Sequence, residues 1–253
     1  VANDNQNIVG YDLSAATALI RGKAGTTISL GIVRRGVKEP ITVELKRDYI
    51  STRAVVALRV DSVGYISIST FTKPLASEFY EAYTPLGNVS SLVVDLRDNG
   101  GGYLASAIDL STLFLERGDV IVVTENKRRE TRYRARCNGE LRNVPLVVVI
   151  NEVTASASEI FAGAMQDHDR ATIIGRTSFG KGLIQKNIEY KDGSGLRITI
   201  ARYKTPSGRP IQRPYTAGKN RAYLRDTMRF VHPDSIERVD SLKFKTLKLG
   251  REV

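Results

Sequence analysis

The sequence is short of the residues that form disulfides and metal sites. Its 253 residues include one cysteine, Cys137, and two histidines, His168 and His232. A single cysteine excludes an internal disulfide, so packing alone has to hold the fold together. The histidines and the cysteine do not have the spacing of zinc ligands. We therefore expect neither a metal ion nor another cofactor.

Long apolar runs are also missing. No apolar stretch reaches the roughly 18 residues that a membrane-spanning helix needs, and the sequence does not open with a signal peptide. Because the first residue is Val1 rather than methionine, an export signal could precede it. Hydrophobic residues make up 42% of the chain. That share is enough to bury the core of one large domain or two smaller ones.

Acidic residues are too few to balance the basic ones, and the formal net charge is +11. Such a charge suits acidic partners, including nucleic acid, anionic lipid and cell-wall polymer. The densest basic stretch, residues 126–136, reads "NKRRETRYRAR" and predicts a strand with arginines on one face. A solvated hairpin face explains this stretch better than a binding surface does. No helix-turn-helix, RNA-recognition or zinc-finger pattern is present, so we expect no nucleic-acid partner.

The order of the predicted elements indicates an α/β fold with a small N-terminal unit. Residues 1–48 contain one short helix, "DLSAATALIRG", and two strands around a turn at Gly36. A helix and two strands are few for an independent domain. From residue 49 to residue 253 apolar strands alternate with helices, which is typical of an α/β layer. The region from about residue 216 to residue 253 is polar and basic and predicts no clear element.

Three polar segments directly follow predicted strands of this layer. They are "DLRDNGGG" at 95–102, "TASASE" at 154–159 and "TSFGKG" at 177–182. Sites in open α/β sheets gather at the carboxyl ends of strands, so we expect the three segments to converge. The three glycines of the first segment could expose N–H groups as an oxyanion hole, or could form only a tight turn. A dinucleotide site is less favoured, because the G-x-G-x-x-G spacing is absent.

Ser156 admits two interpretations. With Glu159 it spells the Ser-x-x-Glu capping box that begins many helices. Held at a strand-to-helix corner, it could also be a nucleophile, which at neutral pH needs a proton acceptor. His168 is a poor acceptor, because it follows by twelve positions (168 − 156) along one predicted helix, about 18 Å away. Asp167 meets the same objection, and His232 lies in the polar tail.

Lys181 is a better candidate for the proton acceptor. It follows the third strand, and chain reversal can return it to the strand ends where Ser156 lies. Burial disfavours a charged lysine and can make it a general base, as in the Ser-Lys variant of the catalytic dyad. Taken alone, a lysine between two glycines is more typical of a surface turn.

The segment "TASASEIFAGAMQDHDRATIIGRTSFGKGLIQ" closely resembles the core of the carboxy-terminal processing peptidases, also called tail-specific proteases. "DLRDNGGG" before it and "ARYKTPSGRPIQ" after it match further motifs of that family. "GYDLSAATALIRGKAGTTISLGIVR" is similar to the second half of the family's PDZ domain. The resemblance covers about residues 8–215. The front of that PDZ domain and a later "GGGIxPD"-like segment are absent, so the chain is expected to be truncated at both ends.

The resemblance implies an architecture, an activity and a location. The fold would be a ClpP/crotonase-like protease core over residues 49–253, preceded by a partial PDZ domain over residues 1–48. The activity would be that of a serine endopeptidase that cuts protein or peptide substrates with apolar tails near their carboxyl termini. The location would be the periplasmic side of the bacterial cell envelope, where the basic charge could favour acidic surfaces.

The resemblance also implies roles for single residues. Ser156 would be the nucleophile, Lys181 the general base and Gln185 the residue that orients the lysine. Ala157 and one glycine would form the oxyanion hole, with Gly101 as the first choice for that glycine and Gly102 as the alternative. Asp167 and Glu159 would be supporting residues. Thr154 stands where the family often has serine, and it is not the nucleophile.

Two other functions stay open. A noncatalytic peptide-binding protein on the same scaffold would keep the groove and lose turnover. A crotonase-type enzyme acting on acyl thioesters would use the glycine-rich oxyanion hole, but it would not need Ser156 and Lys181 at this spacing.

Overall fold

The structure is a computed structural model that describes residues 2–3, 6–49, 53–213 and 244–253. The chain divides into two compact units, Val1–Thr52 and Arg53–Val253. This division lies close to the boundary predicted between residues 48 and 49. Most of the predicted polar tail, residues 216–243, lies outside the described residues.

The described part of the first unit contains one helix and four short strands. In chain order these elements are β1 (Ala2–Asn3), β2 (Gln6–Asn7), α1 (Leu13–Ile20), β3 (Thr27–Ile32) and β4 (Ile41–Lys46). The Asp12 carboxylate caps α1 by accepting the Ala15 N–H at 2.9 Å. Strands β3 and β4 pair antiparallel around a turn in which Gly36 has a φ of +85°. The predicted helix and strand pair are therefore confirmed.

The second unit alternates strands and helices as the sequence predicts. Its elements in chain order are β5 (Val55–Val60), β6 (Val63–Ile68), α2 (Leu75–Tyr83) with a 3₁₀ turn (Thr84–Leu86), β7 (Ser91–Asp95), α3 (Leu104–Thr112), β8 (Val120–Glu125), β9 (Glu130–Arg134), β10 (Leu146–Ile150), α4 (Ala157–Asp167), β11 (Thr172–Gly175), β12 (Leu183–Glu189) and β13 (Gly195–Lys204). The α/β class is confirmed. The sequence did not predict β5.

The first sheet of this unit positions the strand ends that matter for a site. In the described residues its order is β11-β10-β7-β6-β5. The four strands β6, β7, β10 and β11 run parallel, and β5 is an antiparallel edge. The carboxyl ends of β7, β10 and β11 are therefore neighbours at one edge of the sheet.

Aromatic packing holds the helices of this unit together. The rings of Phe79, Phe114 and Phe161 are fully buried and belong to the main apolar core. Phe114 meets the other two edge to face, with ring centroids 5.7 Å apart in both pairs. Such pairs add about 0.5–1.5 kcal/mol each beyond the burial of their area. Phe161 lies on α4, so this packing fixes the helix that begins next to Ser156.

The second sheet is antiparallel and has the order β12-β13-β8-β9 in the described residues. Strand β12 lies at its edge and carries a bulge between Ile184 and Gln185. Strands β8 and β9 form the predicted basic hairpin, in which Arg132 and Arg134 are exposed. None of the helices in the described parts of the chain is both long and apolar enough to cross a membrane.

A buried carboxylate fixes the carboxyl end of β7. Asp95 accepts a hydrogen bond from the Tyr65 hydroxyl at 2.5 Å and from two guanidinium nitrogens of Arg97, the nearer at 2.6 Å. Burial alone would raise the pKa of Asp95, but the hydrogen bonds from Arg97 and Tyr65 outweigh it and hold that pKa below its usual range. The ionised form of Asp95 is therefore favoured in the folded protein.

This depressed pKa predicts an acid-sensitive contribution to stability. A carboxylate with a lowered folded-state pKa stabilises the fold above the usual aspartate pKa of about 3.9, and this contribution is lost as the pH falls below that value. We expect Asp95→Asn to lower the free energy of unfolding by about 1–3 kcal/mol at pH 7 and to flatten its decline between about pH 5 and pH 3. Urea unfolding across this pH range measures both effects. The exposed Glu130→Gln variant, which removes the surface partner of Arg132, should change neither; an unchanged pH slope in Asp95→Asn would contradict the prediction.

Candidate active site

The three polar segments that follow β7, β10 and β11 meet at the sheet edge. The Ala155 N–H donates to the Asn99 carbonyl at 3.0 Å, which joins the second segment to the first. The Phe179 N–H donates to the Thr154 carbonyl at 2.9 Å, which joins the third segment to the second. The Thr154 hydroxyl also donates to the Leu96 carbonyl at 2.8 Å. The predicted convergence of these segments is therefore present in the structure.

Ser156 occupies a strained corner between β10 and α4. Its φ of 60° and ψ of −115° lie in a region that residues other than glycine rarely adopt. A residue held there costs about 1–3 kcal/mol, which the surrounding contacts have to offset. The side chain is half-buried and stands where the positive end of the α4 dipole can stabilise a nearby negative charge.

A buried carboxylate connects this corner to the lysine segment. One oxygen of Glu159, Oε2, accepts the backbone N–H of Ser156 at 2.8 Å and that of Lys181 at 2.9 Å. The other oxygen, Oε1, accepts the Ser178 hydroxyl at 2.7 Å and the Gly180 N–H at 2.6 Å. Because a single oxygen holds both backbones, the positions of Ser156 and Lys181 are fixed relative to each other.

The environment of Glu159 also sets its protonation. Burial raises the pKa of this carboxyl, and the hydrogen bonds from Ser178, Lys181, Gly180 and Ser156 oppose the rise. All four partners donate, which matches the acceptor-only chemistry of an ionised carboxylate. The Glu159 half of the capping box is thus formed, and the same side chain also anchors the lysine segment.

Most of the sequence-predicted site residues line one cleft of about 370 Å³. They are Ser156, Lys181, Gln185, Ala157 and Gly102. Gln185 is exposed and follows the bulge in β12. Within the described residues, the Lys181 side chain forms no hydrogen bond with Ser156 or Gln185. The cleft therefore brings the three side chains together without a formed proton path between them.

The backbone N–H groups around Ser156 are not equally available. The Gly101 N–H donates to the Asn99 side-chain oxygen at 2.9 Å. The N–H groups of Gly102 and Ala157 meet no acceptor among the described residues, and both residues line the cleft. The neighbouring Phe71 does not bind the Gly102 N–H: the Phe71 N–H donates to the Gly101 carbonyl, and the Phe71 carbonyl accepts the Tyr103 N–H. The free pair of donors beside Ser156 is therefore Ala157 with Gly102.

Gly101 can pack against the Ser156 corner only because it has no side chain. Its φ is +95°, and a Cβ there would lie 2.6 Å from the Ala155 carbonyl oxygen, 2.7 Å from Ser156 Cβ and 2.8 Å from the Ala157 nitrogen. Two of these atoms belong to the backbone and cannot easily move aside. Glycine is thus needed at this position for the nucleophile corner to close on the glycine-rich turn.

Gly101→Ala is accordingly expected to displace the Ser156 corner and to lower the free energy of unfolding by about 1–3 kcal/mol. Gly100→Ala is the matched control, because Gly100 has no positive φ and a Cβ there would meet nothing within 4 Å. Chemical denaturation of both variants beside the parent protein measures the difference. Equal stability of the two variants would show that the close approach at Gly101 imposes no constraint.

Tyr203 is a site residue that the sequence analysis missed. It is 2% exposed and lines the cleft. Its hydroxyl donates to the Lys181 carbonyl and lies within hydrogen-bonding reach of the Ser156 side chain. Burial raises the pKa of Tyr203, so the hydroxyl stays protonated at neutral pH. The motif "ARYKTPSGRPIQ" contains this residue, but the sequence pattern alone did not assign a role to the tyrosine.

Asp167 and His168 lie at the opposite end of α4 from Ser156. The Asp167 carboxylate accepts the Ser207 N–H at 2.8 Å and pairs with Arg209 at 3.5 Å. His168 Nε2 contacts the Val120 carbonyl at 2.7 Å. Helix α4 runs unbroken between Ser156 and these two residues, as predicted, and Asp167 ties the helix end to a loop. His232 lies outside the described residues, among which no cluster of histidine, cysteine, aspartate or glutamate is placed to hold a metal ion.

Known proteins resemble this chain closely. The profile described as Peptidase family S41 matches residues 62–217. The carboxy-terminal-processing protease of Bartonella bacilliformis is 39% identical over 216 residues, which cover 83% of this chain and 50% of the relative. The carboxyl-terminal-processing protease of Synechocystis sp. is 40% identical over 221 residues, which cover 84% of this chain and 51% of the relative.

A structural comparison also matches a C-terminal processing protease. The photosystem II D1 C-terminal processing protease superposes with a TM-score of 0.57 at 32% identity, covering 84% of this chain and 59% of that one. The chain spans about half the length of the curated relatives that it matches. The match of the family profile and the identity to these relatives establish that the chain belongs to peptidase family S41.

Proposed function

We propose that this chain carries the catalytic machinery of a serine endopeptidase that cuts protein substrates near their carboxyl termini. One observation carries the proposal: Glu159 Oε2 holds the backbones of both Ser156 and Lys181, and both residues line one cleft. The names of the curated relatives, which are carboxy-terminal-processing proteases, support the same activity.

The proposed reaction uses the groups of the cleft in sequence. Ser156 Oγ attacks the carbonyl carbon of the scissile peptide bond while Lys181 Nζ takes the hydroxyl proton. The free N–H groups of Ala157 and Gly102 donate to the oxyanion that forms, so Gly102 takes the donor role for which Gly101 was the first choice. Lys181 passes the proton to the leaving amine, and the C–N bond breaks to give an acyl ester on Ser156. Water, deprotonated by Lys181, then attacks the ester carbonyl; the bond from the acyl carbon to Ser156 Oγ breaks, and Lys181 returns the proton to Oγ.

Gln185 and Tyr203 complete the proposed arrangement around the lysine. Gln185 lies four positions after Lys181 (185 − 181) and, from the bulged strand, would orient its ammonium or amine group. The Tyr203 hydroxyl donates to the Lys181 carbonyl and lies within hydrogen-bonding reach of the Ser156 side chain, so it is a second link between these two residues besides Glu159. Asp167 has only an indirect, structural role in this scheme.

The finer features implied by the resemblance are part of the proposal. The first unit would be the second half of a PDZ domain, and the protease unit would have a ClpP/crotonase-like fold. The substrates would be proteins or peptides with apolar tails, and the site of action would be the periplasmic side of a bacterial envelope. The net charge of +11 is consistent with association with acidic envelope surfaces.

Incubation with an unfolded protein that ends in an apolar tail tests the proposal. We expect intact-mass spectrometry to show shortened products that have lost a carboxyl-terminal peptide, and a serine-directed phosphonate to add to Ser156. Binding of the tail without products or adduct would favour a peptide-binding protein instead. Saturable coenzyme A binding together with thioester turnover would favour a crotonase-type enzyme. A Ser158 adduct in place of a Ser156 adduct would contradict the assigned nucleophile.

A further inference from the structure

The hairpin of β12 and β13 presents one polar face to the cleft. In its antiparallel register Gln185 pairs with Thr199, and Asn187 pairs with Arg197. Side chains alternate along a strand, and directly paired residues share a face, so these four side chains point to the same side. Gln185, Asn187 and Arg197 all line the cleft that contains Ser156. The intervening Lys186 points to the other side of the hairpin.

One hydrogen bond orients Arg197, and the guanidinium group keeps further N–H donors for a ligand. Its Nε donates to the Asn187 side-chain oxygen at 2.9 Å, which fixes the direction of the guanidinium group. Among the described residues no carboxylate forms an ion pair with Arg197, whereas Arg97, Arg132 and Arg176 each have one. A guanidinium group forms two parallel hydrogen bonds with a carboxylate through the nitrogens that Asn187 leaves free.

The place of Arg197 along the hairpin sets its distance from the reaction. Asn187, its partner, lies two residues beyond Gln185 on the same strand. Two residues of extended chain span roughly 6–7 Å, which equals about two residues of an extended substrate. A carboxylate at Arg197 would therefore belong to a substrate residue only a few positions from the scissile bond.

We propose that Arg197, oriented by Asn187, is a specificity-determining residue that binds a substrate carboxylate close to the bond being cut. This assignment rests on the proposed peptidase function of the Ser156 cleft. A carboxylate can come from the free carboxyl terminus of the substrate or from an aspartate or glutamate side chain. In either case the interaction selects substrates that place a negative charge on the hairpin side of the cleft.

Three peptides that share one apolar tail separate these sources. The first ends in a free acid, the second in an amide, and the third in an amide with one glutamate near its end. The parent protein, Arg197→Gln and the control Lys186→Gln are compared at 0.15 M salt, which screens the long-range effect of net charge. Lys186→Gln removes one positive charge from the neighbouring position on the opposite face of the hairpin. Cleavage is measured as kcat/KM, and binding is measured in a Ser156→Ala background.

We expect the parent protein and Lys186→Gln to prefer the free acid to the amide by about 10–100-fold, the range of a charged hydrogen-bonded contact. Arg197→Gln should lose this preference and handle the amide as the parent does. A dependence on Arg197 that appears only with the glutamate peptide would assign the site to an acidic side chain. If the relative rates on all three peptides are the same in the parent and in Arg197→Gln, whether or not the absolute rates fall, the proposal is overturned.

The binding measurement separates this proposal from the peptidase assignment. If the parent protein cuts none of the peptides, the proposed function fails. Binding to the Ser156→Ala protein would still show whether Arg197 distinguishes the acid from the amide. If binding also shows no dependence on Arg197, the carboxylate site is refuted independently of turnover.

Discussion

Ser156→Ala is expected to lower kcat for peptide cleavage by roughly 10⁴-fold or more, because it removes the atom that forms the acyl ester. Folding should survive the change. The bond from residue 156 to Glu159 is made by the backbone N–H, and alanine keeps the same Cβ at the strained φ. We expect the free energy of unfolding to change by less than about 1 kcal/mol. Initial rates measured by mass spectrometry, together with a denaturation curve, test both expectations.

Ser158→Ala is the matched control for the nucleophile. Ser158 lies two positions on in the same segment, is fully buried, and its hydroxyl donates to the Asn99 carbonyl at 3.2 Å. Its loss should cost about 0.5–1.5 kcal/mol of stability and leave most of the activity in place. A Ser156→Ala protein that cuts as fast as Ser158→Ala would show that residue 156 is only a helix cap.

The position of the site followed from simple features of the sequence. Apolar strands alternating with helices predict parallel strands, and the polar segments after those strands had to meet at one edge. Helix length alone separated His168 from Ser156. The edge strand β5 was missed because its sequence, "VVALRV", is an almost unbroken apolar run. Apolar and polar residues do not alternate in such a run, so periodicity alone does not distinguish a strand from a helix segment.

The finer geometry depends on tertiary contacts that no local pattern encodes. Gly101 and Gly102 are equivalent in the sequence, and only the Asn99 side chain decides which N–H is occupied. The capping-box pattern predicts one partner for Glu159, yet its carboxylate also holds Ser178, Gly180 and Lys181. Those contacts form only when the loop after β11 folds back onto α4, and the residues of that loop carry no local pattern that specifies this return.

Lys181→Met is expected to reduce kcat about as strongly as Ser156→Ala, because the proposed base is removed while the length of the side chain is nearly kept. The double variant should be no slower than either single variant, since the two groups act in one step. The Lys181 N–H bond to Glu159 comes from the backbone, so it survives the substitution. Discontinuous assays with an unfolded substrate measure these effects. Lys186→Met is the control, because Lys186 lies on the face of the β12–β13 hairpin that points away from the cleft.

Lys181→Arg then separates the charge of this side chain from its role as a base. Arginine keeps a positive charge in the cleft but does not give up its proton in proteins. If Lys181 accepts the Ser156 proton, the arginine variant should be as inactive as Lys181→Met across the whole range of pH 6–9. If the lysine only supplies positive charge near the oxyanion, arginine should restore a large part of the rate that methionine loses, and the proposed dyad would be wrong.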